Sequence, residues 1–168
     1  MIFPDLRGHG EHKLPLDKDV LWDVETAIAY CRSFGKVAAI GHSSGGRLCL
    51  ISSADFAVGI SPPLQTTYSA ETRRIINDLR SYRVRESFPG VNFEILKTLP
   101  MWQVVNNKQA LILFGSRDVP EIVSSCKELR AKGKHVIEID RAFHNDIFLL
   151  EETFGQVVKK LNGWFGNG

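Results

Sequence analysis

The six residues Gly41-His42-Ser43-Ser44-Gly45-Gly46 constrain this chain more than any other stretch. They follow the apolar run 37–40 and precede Leu48, Cys49, Leu50 and Ile51. The pattern therefore reads as strand, tight turn, helix. Small residues on both sides of Ser43 let strand and helix approach closely, while a strained turn pushes the serine hydroxyl outward. The helix opening at Ser44 aims free N–H groups and the positive end of its dipole at the same point. A Gly-Ser turn is unremarkable alone, but in this context the serine is set for nucleophilic attack.

Three more strand-length apolar runs, at 56–60, 110–114 and 135–139, are largely non-alternating, as in parallel strands covered on both faces. Helical spacing lies between them. Leu21, Val24, Ile28 and Cys31 form one stripe with Gly35 as a stop. Pro120 opens another, with Ile122, Val123, Cys126 and Leu129 on one face and Gly133 beyond its end. A last helix is expected to carry Phe148, Phe154, Val157, Val158, Leu161 and Phe165, capped by Asn145 or Asp146. Strands alternating with helices predict one α/β domain over 1–168, with three α/β/α layers and a mostly parallel sheet of about five strands. The alternation breaks between 64 and 108, where two weak helical patterns flank Pro89-Gly90 and the net charge is +3, against +2 for the whole chain. An insertion of this length between strands is expected to be a lid or cap. Its arginines read first as a solvated helix face.

Four segments together resemble the α/β-hydrolase fold enzymes. The turn around Ser43 resembles their nucleophile elbow, and Pro4-Asp5-Leu6-Arg7-Gly8-His9-Gly10 resembles the turn upstream of it. Leu113-Phe114-Gly115-Ser116-Arg117-Asp118 is similar to the segment bearing the acid, and Phe143-His144-Asn145-Asp146 to that bearing the catalytic histidine. The order Ser43, Asp118, His144 is the order this fold uses. The resemblance implies Ser43 as nucleophile, His144 as general base and then acid, and Asp118 as the group that orients the histidine. Asp140 and Asp146 are rival acids. Ser44 would supply an oxyanion N–H, while His42, Leu64 and Trp102 are expected to contact substrate. Of the other histidines, His9 reads as part of a glycine turn and His12 as part of a polar loop.

Members of the family carry three further strands before the one ending at Asp5, so the expected fold is an N-terminally truncated version with Met1-Ile2-Phe3 as a strand stub. That stub should be an orphan edge or pair with the run 37–40, exposing a sheet edge to which a second copy could add. The loop that provides the family's second oxyanion donor is not in this sequence, and losing one donor typically costs ~10²–10³ in rate. The reading is a serine hydrolase acting on a carboxylic ester or thioester through an acyl-enzyme. Its alternatives are an impaired remnant acting as a binding protein, and a lyase or acyltransferase with the same triad.

Composition narrows the rest. Charged residues make up 24% of the chain and the net charge is small, which argues against nucleic acid as a partner. No apolar run approaches ~20 residues, so no membrane partner is expected, and the N-terminus has no signal-peptide pattern. Cys31, Cys49 and Cys126 are an odd set in apolar stretches, read as buried thiols of a cytoplasmic protein. No histidine, cysteine or carboxylate spacing suits a metal, so no cofactor is expected. The partner is a small acyl substrate.

Overall fold

The computed structural model describes residues 1–80, 84–102 and 109–166. The four apolar runs become β1 (Ala38–His42), β2 (Phe56–Ile60), β3 (Gln109–Gly115) and β4 (Val136–Ile139). All neighbours are parallel, in the order β1-β2-β3-β4. Helices connect them: α1 (Val20–Cys31) before β1, α2 (Ser44–Ile51) after it, α5 (Pro120–Ala131) between β3 and β4, and α6 (Glu151–Phe165) at the end.

Alternate residues of β3 feed two separate cores. Leu111 and Leu113 join Val58, Ile139 and Val157 on the face covered by α6. Ile112 and Phe114 join Leu48, Leu50, Ile122 and Cys126 on the face covered by α2 and α5. This gives the three layers. Burial of Val20, Val24 and Ile28 follows the four-residue helical stripe of α1. Arg7 ties the N-terminal loop to that helix by a two-pronged contact with Asp23 (2.9 and 3.0 Å) and a bond to Asp17 (2.6 Å).

The sheet has four strands among the described residues, not about five. Met1-Ile2-Phe3 forms no strand: Met1 and Phe3 are 99% and 86% exposed, and the stub does not pair with β1. Pro4 closes this stretch without an N–H to give to a ladder. The last helix also starts later than its apolar spacing suggests. Phe148 lies in a 3₁₀ turn, Ile147–Leu149, and Leu150 is the N-cap of α6. Asp146 instead accepts a hydrogen bond from the Phe143 N–H (2.8 Å).

The insertion between β2 and β3 forms α3 (Ala70–Arg80) and α4 (Val91–Thr98). Tyr82, Arg83 and the stretch 103–108 lie outside the described residues. Main-chain bonds staple the segment after α3 to the N-terminal loop: Arg85 N–H to Gly8 O, Leu16 N–H to Arg85 O and Ser87 N–H to Leu16 O. The cap is thus joined to the loop that precedes α1.

Candidate active site

Strand β1 runs into α2 through Ser43, whose φ of 54° and ψ of −128° place a non-glycine residue in a strained conformation. Glycines make the turn feasible. A Cβ on Gly41 would collide with the main chain of Gly45, so strand and helix can approach this closely only without it. The Ser43 N–H donates to Ile60 O (2.8 Å), anchoring the turn to β2.

Ser43 meets two residues from the ends of β3 and β4. The His144 Nδ1 lies 2.8 Å from Asp118 Oδ1 and its Nε2 lies 2.9 Å from Ser43 Oγ. The carboxylate can only accept, so Nδ1–H donates to it, leaving Nε2 to accept the Ser43 proton. A close approach of the two loops sets this spacing. A Cβ on Gly115 would collide with the Ala142 carbonyl, and the Arg117 N–H donates to that carbonyl at 3.0 Å. Burial works to raise the Asp118 carboxyl. The hydrogen bond and charge of His144, together with the Val119 N–H (2.7 Å), outweigh burial and hold it below the usual carboxylate range. Neither Asp118 Oδ2 nor Ser61 Oγ has a well-aligned partner. The rival acids point elsewhere: Asp140 is exposed beside Arg141, and Asp146 holds the Phe143 N–H.

Comparison with models of known protein families gives no match, and none is found among curated proteins. Solved structures do match. An esterase of Pyrobaculum calidifontis superposes with a TM-score of 0.56 at 22% identity, over 92% of this chain and 62% of its own. A carboxylesterase structure from Nitrososphaera gargenis gives 0.67 at 16% identity, over 94% and 77%. A monoacylglycerol lipase of Paleococcus ferrophilus gives 0.60 at 17%, over 95% and 80%. The fold is that of the α/β hydrolases. This chain spans 62% of the length of the Pyrobaculum enzyme.

Within this α/β-hydrolase fold, a cavity of about 430 Å³ opens over Ser43. His42, Ser43, Ser44 and His144 line it from the sheet side, and Ile76, Leu79, Ile95, Leu96 and Leu99 from the cap. Two sequence-predicted substrate contacts do not reach it. Leu64 is buried in the core shared with α2 and α5, and Trp102 is half-buried against the same core. Both lie outside the two cap helices, where the chain enters and leaves the insertion. His9, read as part of a glycine turn, does line the cavity; its Nδ1–H donates to Arg7 O (3.1 Å), and burial lowers its pKa.

Three polar residues around the α2 helix escape sequence reasoning. The Ser44 hydroxyl donates to Asn92 Oδ1 (2.7 Å) and accepts a longer contact from Arg80 Nη1 at 3.4 Å. Arg47 is fully buried. Its guanidinium donates to the carbonyls of Pro63 (3.0 Å) and Gln65 (2.8 Å) where the insertion begins, and Leu99 (3.1 Å) where α4 ends. The available signal was a lone arginine amid the apolar residues of α2, four positions after Ser43. Among the described residues no cluster of histidine, cysteine or carboxylate could hold a metal ion, and no helix is long and apolar enough to cross a membrane.

Proposed function

We propose that the chain is a serine hydrolase that cleaves carboxylic esters or thioesters through an acyl-enzyme at Ser43. The observation that carries this reading is the unbroken hydrogen-bond chain from Ser43 Oγ through His144 to Asp118. The names of the matched solved structures, an esterase, a carboxylesterase and a monoacylglycerol lipase, support ester substrates.

As Ser43 Oγ attacks the acyl carbon, its proton passes to His144 Nε2, and Asp118 stabilises the imidazolium. The carbonyl oxygen gains charge beside the N-terminus of α2, where the Ser44 N–H is the donor next to the nucleophile. Collapse of the intermediate sends the His144 proton to the departing alcohol or thiol and leaves the acyl group on Ser43. A water molecule, deprotonated by His144, then releases the acid and restores the serine. The apolar cap side chains over Ser43 suit an acyl chain and limit water there.

The deciding experiment treats purified protein with a fluorophosphonate probe, followed by mass spectrometry and ester hydrolysis assays. The expected result is one adduct, on Ser43, with both adduct and hydrolysis abolished in Ser43→Ala. A folded wild-type chain that stays unlabelled, or a Ser43→Ala variant that remains active, overturns the reading.

A further inference from the structure

We infer that His42 is a positioning residue for the catalytic base: its ring N–H fixes the main chain of His144, and its ring braces the imidazole. The inference rests on the serine-hydrolase reading above and adds a role to the residue preceding the nucleophile.

Geometry sets the proton. His42 Nε2 lies 2.7 Å from the His144 carbonyl oxygen. A carbonyl only accepts, so Nε2 carries the hydrogen and donates. The His42 ring also packs against the His144 ring, with centroids 5.0 Å apart, and against Phe148 on its other contact at 4.7 Å. His42 is the last residue of β1, in register with Ile60 of β2, so its backbone belongs to the rigid sheet.

His144 has no such support of its own. It lies in the loop between β4 and the 3₁₀ turn at Ile147–Leu149, outside any helix or strand. Side chains and isolated bonds hold that loop: the Arg141 N–H to Ser116 Oγ (2.7 Å), the Arg117 N–H to Ala142 O, and the Phe143 N–H to Asp146 Oδ1. Among the described residues, the bond from His42 is the one that grips the main chain of His144 itself. It fastens base and nucleophile to the same strand end, because Ser43 is the next residue along.

The donor also holds its protonation state. Burial, and then the charge His144 can carry, lower the His42 pKa to about 4, against smaller opposing effects from the His144 carbonyl and Asp118. His42 therefore stays neutral when His144 takes the serine proton, and does not compete as a base. An apolar residue would fill the same space but could not donate.

The test uses His42→Phe, which keeps a ring and loses the donor, and His42→Gln, which restores an N–H at similar reach. Fluorophosphonate kinetics separate the maximal inactivation rate from the probe concentration at half-saturation. The expected result is a maximal rate at least tenfold lower in His42→Phe, a half-saturation concentration near the wild-type value, and partial recovery in His42→Gln. A far-downfield proton resonance from the His144–Asp118 bond should be sharp in wild type and broadened in His42→Phe. Thermal melts confirm that the variants compared are folded, and the resonance reads the same question in wild-type protein through exchange broadening. If His42→Phe reacts as fast as wild type, or if only half-saturation changes, His42 is a substrate contact or packing residue and the inference fails. If wild type itself does not react, the hydrolase reading fails with it.

Discussion

Ser43 Oγ and His144 Nε2 stand 2.9 Å apart although 101 positions separate them in the chain. The parallel sheet makes this possible, since every strand delivers its C-terminal end to the same edge. Asp118 joins from β3 and completes the line. Asp118→Asn should keep the fold while presenting the wrong histidine tautomer to Ser43. Ester hydrolysis and probe labelling should fall by up to ~10⁴, with far-ultraviolet circular dichroism unchanged. Activity within a few-fold of wild type would remove Asp118 from the role.

Gly115 carries the spacing between the loops that bear Asp118 and His144. Gly115→Val should push the Ala142 main chain outward and draw His144 from Asp118. A displacement near ~1 Å is enough to lower turnover ~10²-fold, and overpacking of this kind costs ~1–3 kcal/mol of stability. Parallel measurements of hydrolysis and urea melting should show activity lost well before the fold is.

Among the described residues the Arg47 guanidinium meets no carboxylate, and burial lowers its pKa. Arg47→Ala would leave several buried carbonyls without donors, at ~1–3 kcal/mol each before relaxation. The expected outcome is a melting temperature lower by roughly 10 °C, taking ~3 kcal/mol and a few degrees per kcal/mol. Differential scanning calorimetry provides the check, and a shift of only a degree or two would show the clamp to be dispensable.

Acid should loosen the N-terminal loop. Burial works upward on Asp17 and Asp23, but their bonds with Arg7 outweigh it and hold both carboxyls below their ordinary values. Their folded pKa values lie below the unfolded ones, so the stabilisation is complete above about pH 4 and fades as pH falls through the folded values. Arg7→Met should cost about 2–3 kcal/mol at neutral pH, mostly through the better-buried Asp23. The gap between variant and wild type should shrink in urea melts taken toward about pH 3. A gap that widened on acidification would contradict the assigned sign.

That Ser43, Asp118 and His144 meet at one sheet edge was legible because each position depends on local grammar. Ser43 needs glycines around a strand–helix turn, and Asp118 and His144 each follow a strand end. Arg47 was not legible, since its partners are main-chain carbonyls of Pro63, Gln65 and Leu99, which leave no mark in side-chain identity. Leu64 and Trp102 misled for a related reason. Apolar residues at the ends of an insertion can face the cavity or the core with equal ease, and here both chose the core. The stub Met1-Ile2-Phe3 has strand composition, but composition does not supply a neighbouring strand to pair with.

The Arg47 clamp has a consequence for how such a molecule could diversify. One side chain on the helix that follows Ser43 grips the chain at the entrance and at the exit of the cap, through atoms that every amino acid possesses. The stretch 66–98 is held a second time where the Arg85 and Ser87 main chain bonds to Gly8 and Leu16, so both holds depend on backbone atoms and not on which side chains the stretch carries.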